Sequence, residues 1–389
     1  MLYLNSLFKE TALNFKKMKH SSYLLALIVI LLNSCNSKQK QFQFEQIIYP
    51  GATHKSLTEL MSSIEIVRLQ HGDSLLIDDK IRLFQRDSSF YIADIRGEKI
   101  IYRFNRDGRF LNKIGKKGKA PQEHPNMLDV TVGKNNKIYI LSAPYLILTQ
   151  YAQNGDFKEK KRAEINSNGF CRSGNGFWVY AGNPERTYLL RLDDSLNVID
   201  SLRLPKGTID TQIYPFERFS SFGDNSYFWQ YPFPMVYSLT PNTAKQTICF
   251  DFGDNYISSE DMQGYKPKID NKDIVNISKY YENESQIFVE IGIIGKDKKS
   301  ARGICGLKNK PQNQWYWAEY ITTPEKPFIP DWYPTRTKGF AQDGRLMCFF
   351  FGNEIEELTD EARKLITNPQ ELENIDPEMD MFVLLCRFK

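Results

Sequence analysis

The chain has 389 residues, of which 41% are hydrophobic and 25% are charged. This is the composition of a folded globular protein, and it excludes a disordered chain and a protein with many membrane spans. The formal net charge is +4, and the first 35 residues carry four lysines and one glutamate, so the rest of the chain carries only 4 − 3 = +1. A near-neutral body lacks the basic stripe that phosphate binding needs, which excludes nucleic acid as a partner.

The first 35 residues have the pattern of a signal peptide. Lys16, Lys17 and Lys19 precede an apolar run over 23–32, which is too short for an ordinary transmembrane helix. The run is followed by Leu-Asn-Ser-Cys, which resembles a bacterial lipobox, so we expect Cys35 to be lipidated and to become the first residue. The alternative is an ordinary signal peptide with a chance cysteine. Met18 is an alternative start of translation.

Residues 36–46 are polar and are predicted to form a flexible tether between the lipid anchor and a folded unit over 47–389. The tether lacks a cluster of acidic residues of the kind that often directs lipoproteins of Bacteroidetes to the cell surface. We therefore expect a lipoprotein of the outer membrane that faces the periplasm, with the membrane as its partner through Cys35.

A hairpin recurs along the folded unit, and its turns contain Asp, Asn, Gly or Ser, as tight turns between strands require. A third strand follows in the clearer copies, over 100–104, 148–151 and 188–192, and a fourth begins at Phe110 or Phe157. Four strands repeated six times predict an all-β fold, a six-bladed β-propeller. A β-sandwich with a second domain is the alternative. The six hairpins cover residues 81–93, 128–140, 169–180, 218–229, 275–289 and 339–350.

The last repeat lacks a fourth strand. Its second strand is followed by a helical pattern over about 354–377 and by one apolar strand at the end of the chain. A spare strand over 64–69 precedes the first repeat. We predict that this N-terminal strand completes the last blade and closes the ring, which removes an open sheet edge.

Cysteine and histidine give no sign of a catalytic or metal site. Five cysteines remain after Cys35, and an odd number without a CxxC pair indicates buried free thiols. A disulfide between Cys348 and Cys386 is the alternative. The three histidines of the folded unit are not at metal-ligand spacing, and no hydrolase or nucleotide motif is present. No catalytic residue, metal or cofactor is predicted.

One segment after the first blade carries a family resemblance. Residues 104–124 read FNRDGRFLNKIGKKGKAPQEH, and Gly115, Gly118, Pro121 and Glu123 match a glycine-rich loop pattern from which Ala120, Gln122 and His124 depart. Together with the lipobox and the hairpins, this segment resembles the six-bladed β-propeller lipoproteins of Bacteroidetes, which are related in pattern to NHL-repeat propellers. The resemblance implies the fold and an envelope location, and it implies no particular activity.

A ligand site is expected where the loops between blades crowd one face of the ring. Trp332 and Tyr333 lie between prolines and form a stiff aromatic pair suited to sugar rings or peptide side chains, and Tyr231 lies in another loop of this face. Core packing between blades is the alternative for the aromatic pair.

Three charged residues complete the predicted site. Arg96 and Arg336 could bind a carboxylate in bidentate fashion, with a solvated loop charge as the alternative. Glu123 could contact a ligand or act as an acid, with acceptance of backbone hydrogen bonds as the alternative.

The leading hypothesis is a non-catalytic binding propeller of the cell envelope that recognises a glycan, a peptide or an envelope protein. The first alternative is a propeller hydrolase or lyase acting on a polysaccharide or lactone, which an axial metal or a pair of carboxylates at glycosidase separation would favour. The second alternative is an assembly or signalling scaffold, which a large apolar patch would favour.

Overall fold

The computed structural model describes residues 45–48, 57–70, 77, 80–133, 136–143, 145–183, 186–205, 217–230, 233–255, 261–263, 266–267, 273–296, 301–322 and 336–389. The predicted lipidation site Cys35 and the tether up to residue 44 lie outside these residues. Within them, no helix is both long enough and apolar enough to cross a membrane.

The described chain is almost entirely antiparallel sheet, arranged as six four-stranded blades in a ring, which confirms the predicted propeller. The strands outside the regular hairpins are β1 (Glu45–Ile48) and β2 (Met61–Arg68). Blade 1 contains β3 (Ile81–Arg86), β4 (Ser89–Asp94), β5 (Ile101–Asn105) and β6 (Phe110–Ile114). Blade 2 contains β7 (Asp129–Val132), β8 (Ile138–Ser142), β9 (Leu146–Tyr151) and β10 (Phe157–Ala163). Blade 3 contains β11 (Ser167–Ser173), β12 (Gly176–Asn183), β13 (Arg186–Asp193) and β14 (Val198–Arg203).

The second half of the ring follows the same plan. Blade 4 contains β15 (Phe219–Phe222), β16 (Asn225–Trp229), β17 (Met235–Leu239) and β18 (Ala244–Asp251). A small hairpin of β19 (Met262–Gln263) and β20 (Lys266–Pro267) precedes blade 5, which contains β21 (Ile274–Glu282), β22 (Gln286–Ile294), β23 (Ala301–Asn309) and β24 (Gln314–Thr322). Blade 6 contains β25 (Thr337–Phe340), β26 (Leu346–Phe351) and β27 (Met381–Phe388), and its strand order is β2-β27-β26-β25.

Strand β2 closes the ring as predicted. It pairs antiparallel with β27, with Ile64 opposite Cys386 and Ile66 opposite Leu384. The first element of the propeller therefore lies beside the last, and blade 6 cannot form without both ends of the folded unit. This arrangement joins residues more than 300 positions apart in sequence.

The predicted helical insertion in blade 6 is also confirmed, as two short helices, Gly352–Ile355 and Asp360–Lys364, and a 3-10 turn over Pro369–Leu372. The segment after the second helix folds back onto β2. The amide of Ile64 donates to the Leu365 carbonyl at 2.8 Å, and the Thr367 amide donates to the Ile64 carbonyl at 2.9 Å. The insertion thus helps to hold the closing strand in place.

Strand β1 was not predicted from the sequence. It pairs in parallel with β18 and gives blade 4 a fifth strand, with Glu45 opposite Ile248 and Ile48 opposite Asp251. Its side chains contribute Ile47 to the apolar layer between blades 4 and 5. The strand begins at residue 45, two residues before the predicted start of the folded unit at residue 47.

The core consists of apolar layers between neighbouring blades. Trp178, Trp229 and Trp317 are among its largest fully buried side chains. The five cysteines after Cys35 are free thiols, as expected, and Cys348 and Cys386 lie unlinked in the core of blade 6. Burial raises the pKa of Cys386, because the thiolate would be desolvated there.

Candidate functional site

The first strands of the six blades surround a narrow cavity on the axis of the ring. Its volume is about 50 Å³. A water molecule needs roughly 10–15 Å³ by this measure, so the cavity holds a few waters or one small functional group. Its lining includes Arg82 and Arg86 of β3, Thr131 of β7, Cys171 of β11, Glu217, Ser220 and Ser221 of blade 4, Tyr281 of β21, and Lys338 of β25.

Arg82 organises the inner part of this cavity. Its side chain is only 6% exposed, and its guanidinium lies 3.4 Å from the Asp129 carboxylate and 2.7 Å from the Glu217 carboxylate. It also donates to the Phe219 carbonyl at 3.1 Å. A buried guanidinium needs such partners, because taking an ion out of water costs several kcal/mol. Blades 1, 2 and 4 are therefore tied together across the axis.

The two carboxylates have further donors. The backbone amides of Val130 and Phe170 donate to Asp129 at 2.9 and 3.2 Å. Burial raises the pKa of Asp129 to about 6, although the positive charge of Arg82 acts in the opposite direction. The Tyr281 hydroxyl donates to Glu217 at 2.7 Å, and burial raises the pKa of this phenol. Both carboxylates are thus engaged within the protein, and neither is placed as an unoccupied general base.

Two cations of the same cavity lack a hydrogen-bonded or ion-paired partner for their side chains. Within the described part of the chain, the side chains of Arg86 and Lys338 make no hydrogen bond and no ion pair. The charges of Asp224 and Asp87 nevertheless favour the protonated form of Arg86. Burial lowers the pKa of Lys338 to about 7, and the charges of Lys279 and Arg336 lower it further, whereas Glu217 raises it. Burial likewise lowers the pKa of the Arg86 guanidinium. The Ser220 hydroxyl is also buried here without a hydrogen-bond partner among the described residues.

A wider cleft of about 370 Å³ adjoins the axial cavity, on the ring face that carries the turns between first and second strands. Arg86, Thr131, Ser221 and Gln342 line both spaces. The cleft is further lined by Asp87, Val132, Gly133, Asn136, Arg172, Ser173, Gly174, Gly223 and Asp224. The axial cavity and this cleft form one continuous site.

Three of the residues predicted from the sequence are described, and the structure does not bring them together. Arg96 is exposed in a turn after β4. Glu123 accepts a hydrogen bond from the Ala120 amide at 3.0 Å and pairs with Lys116 at 2.9 Å, so its carboxylate holds its own loop.

The third residue, Arg336, is paired with Glu354 of the helical insertion and packs on the Phe351 ring. Tyr231, Trp332 and Tyr333 lie outside the described residues. A ligand role for these six residues stays a prediction.

The axial residues were not found from the sequence, because each is an isolated polar residue within an ordinary strand pattern. These residues come together only because the first strands of the six blades meet at one axis. Each first strand faces the axis. The recurrence of Arg, Lys, Glu and Asp within or just before the predicted first strands was therefore the one sequence signal that could have indicated an axial site. No group of three or more His, Cys, Asp or Glu residues that could hold a metal ion occurs in the described residues.

Comparison with known proteins supports the fold. The family model described as Domain of unknown function (DUF4934) matches residues 46–387. Among curated proteins, none matches this sequence significantly.

A crystal structure of a protein assigned as exported, from Bacteroides fragilis, is similar over 89% of this chain and 100% of its own, with a TM-score of 0.66 and 16% identity. This likeness shows the fold alone.

Two weaker structural likenesses carry no argument about function. Virginiamycin B lyase from Staphylococcus aureus covers 83% of this chain and 99% of its own at 11% identity, with a TM-score of 0.42. BamB from Moraxella catarrhalis covers 67% of this chain and 79% of its own at 8% identity, with a TM-score of 0.35.

Proposed function

The chain belongs to the family described as Domain of unknown function (DUF4934), and we propose that it is an exported binding propeller of the bacterial envelope that takes an anionic group into its axial cavity. The observation that carries this proposal is a pair of cations on one cavity, Arg86 and Lys338, whose side chains make no hydrogen bond and no ion pair with the described residues. Leaving a partly buried ammonium without an acceptor destabilises a fold, since the ion loses water and gains nothing in return. Such a feature is typical of a binding site, where a ligand supplies the missing partner.

The charged groups that are not already paired favour an anion over a cation. Arg82 engages both Asp129 and Glu217, and Glu282, another carboxylate of the lining, is paired with Lys310 at 2.8 Å. A bound carboxylate or similar anion would accept from the free donors of Arg86 and Lys338. Charge-assisted hydrogen bonds of this kind are roughly twice as strong as neutral ones.

Binding fits the geometry better than catalysis does. The Tyr281 hydroxyl donates a hydrogen bond to Glu217, and Asp129 accepts hydrogen bonds from two backbone amides, so the acidic groups serve to hold the ring together. Asp129 and Glu217, the carboxylates that could act in catalysis, are therefore engaged in structural contacts. The groups without a side-chain partner among the described residues are donors suited to hold a ligand.

The location rests on the signal sequence. The lipobox at Cys35 supports a lipid anchor, and several acyl chains would make membrane attachment effectively permanent. The similar Bacteroides fragilis protein is assigned as exported, which agrees with an envelope location. We propose a Bacteroidetes-type outer-membrane lipoprotein whose propeller faces the periplasm.

Replacing Cys35 by serine should move the protein from the membrane fraction to the soluble fraction, and persistent membrane association would contradict the anchor.

The anion site is tested with a propeller that starts at residue 36 and with acetate as the probe. We expect acetate, but not chloride at equal ionic strength, to raise the melting temperature as its concentration rises, since a ligand of the native state stabilises it. Lys338→Met and Arg86→Gln should abolish the shift. Lys158→Met is the matched control, because Lys158 is an exposed lysine of an outer strand. Equal shifts in all four proteins would refute an axial anion site.

A further inference from the structure

The axial cavity is too small to hold a whole ligand. Its volume of about 50 Å³ accommodates a carboxylate or a group of that size. The adjoining cleft is about seven times larger, at about 370 Å³, which is within the usual range of small-molecule sites. Because Arg86 and Gln342 line both spaces, a ligand anchored in the cavity extends directly into the cleft.

We infer that the ligand is a saccharide that ends in a carboxylate, such as a hexuronic acid, with the acid group in the axial cavity and the sugar ring in the cleft. This inference rests on the anion site proposed above and adds the chemical class of the ligand. Three properties of the cleft favour such a ligand: its polar side chains, its carboxylates and a buried serine hydroxyl without a partner among the described residues.

The side chains that line the cleft are polar with one exception. Val132 is its one purely aliphatic side chain among the described residues, and the other side chains carry hydroxyl, amide, carboxylate or guanidinium groups. A peptide generally gains affinity by burying large apolar side chains against apolar partners, and no large apolar side chain is among the described residues of this lining. A polyhydroxylated ring needs closely spaced donors and acceptors, and the cleft supplies both kinds.

The two carboxylates of the cleft restrict where the ligand can be charged. Asp87 and Asp224 belong to the turns of blades 1 and 4. They would repel a second acid group placed in the cleft, but they accept hydrogen bonds from sugar hydroxyls. The ligand therefore carries its negative charge at the end that enters the cavity, beside Lys338, and neutral hydroxyls along the rest.

Each space is also lined by a serine whose hydroxyl has no partner among the described residues. The serines are Ser220 in the lining of the cavity and Ser173 in the lining of the cleft, and their Oγ atoms are buried and make no hydrogen bond. A buried polar group left unsatisfied costs about 1–3 kcal/mol. Rotation about χ1 would turn each hydroxyl toward an acceptor in its space and relieve both costs, which fits a molecule with an acid end and a hydroxylated body.

The experiment compares calorimetric titrations of acetate, the hexuronates galacturonate, glucuronate and mannuronate, and the parent hexose of each. We expect at least one hexuronate to bind about tenfold or more tighter than acetate, a gain of about 1.4 kcal/mol, and its parent hexose not to bind measurably. Ser173→Ala should weaken that hexuronate and leave acetate unchanged. Ser195→Ala, in an exposed turn, is the control and should change neither.

The outcomes separate this inference from the function on which it rests. If acetate binds through Lys338 but every hexuronate binds no tighter than acetate, the anion site stands and the saccharide is refuted. If an acidic dipeptide binds tighter than all three hexuronates, the ligand is a peptide and the saccharide is again refuted. If neither acetate nor any hexuronate binds, the proposed function itself is wrong.

Discussion

Arg82 in the first strand of blade 1 and Glu217 just before the first strand of blade 4 form an ion pair of 2.7 Å across the axis of the ring. In a ring of six, these blades are opposite each other, so the pair joins the two halves of the propeller at its centre. Asp129 of blade 2 lies 3.4 Å from the same guanidinium, and Tyr281 of blade 5 donates to Glu217. Four blades thus share one buried polar network around the inner end of the cavity.

Removing Arg82 from this network should destabilise the fold strongly. Arg82→Met would leave the carboxylates of Asp129 and Glu217 buried without their cation, and breaking a buried pair costs about 3–5 kcal/mol. Urea unfolding followed by circular dichroism measures the loss. Lys158→Met is the control, because the exposed pair of Lys158 and Asp156, 3.7 Å apart, should contribute at most about 1 kcal/mol.

A double variant distinguishes the buried charge from lost packing. If uncompensated charge is the cause, adding Glu217→Gln to Arg82→Met should recover part of the stability, because one unpaired carboxylate is removed. A double variant less stable than Arg82→Met alone would show that the network acts mainly through packing and shape.

Replacing Lys338 should have the opposite effect on stability. Burial holds the pKa of Lys338 at about 7, below its ordinary value of 10.5, so folding disfavours its charged form at neutral pH. Lys338→Met removes the charge and keeps an unbranched side chain that is one atom shorter. We expect it to raise the melting temperature at pH 7 by about 2 °C or more while it abolishes acetate binding. A less stable variant would mean that the ammonium has a partner that stabilises it.

The affinity of the site for anions should fall as the pH rises through about 7. An anion binds the protonated form of Lys338, which predominates below the pKa of about 7 and disappears above it. Glu217, Lys279, Arg336 and Lys80 also act on this amine, and Glu217 is the one that favours its protonation. Titrations from pH 6 to pH 9 measure the trend.

Lys338→Arg supplies the control for this pH dependence. A guanidinium stays protonated over the whole range, so this variant should bind acetate with an affinity that changes little with pH. An unchanged pH dependence in Lys338→Arg would assign the titration to another group, of which Asp129, with its pKa of about 6, is the nearest candidate.

The fold was predictable because its signals are local. Each hairpin pairs neighbouring apolar segments across a turn of suitable residues, as between β3 and β4 around Asp87 and Ser88, so the sequence contains the pairing directly. The candidate site was not predictable in this way. Arg82, Glu217 and Lys338 meet only because six first strands converge on one axis, and a short polar-apolar segment such as Glu45–Ile48 has no local signal for the parallel partner that it finds in β18.

The substitution Ile64→Ala tests how much the packing of the closing strand β2 contributes to the stability of the ring. Ile64 is completely buried in the core of blade 6, opposite Cys386, and its backbone is hydrogen-bonded to the insertion at residues 365 and 367. Ile64→Ala should lower the free energy of unfolding by about 2–5 kcal/mol, through lost burial and the cavity that remains. Ile199→Ala is the matched control, since Ile199 on the outer strand of blade 3 is 51% exposed and should change stability by about 0.5 kcal/mol or less.

Because β2 supplies the outer strand of blade 6, amide exchange of β26 and β27 should accelerate in Ile64→Ala more than that of blade 3. Equal losses in the two variants would show that ring closure depends on the insertion and not on the packing of β2.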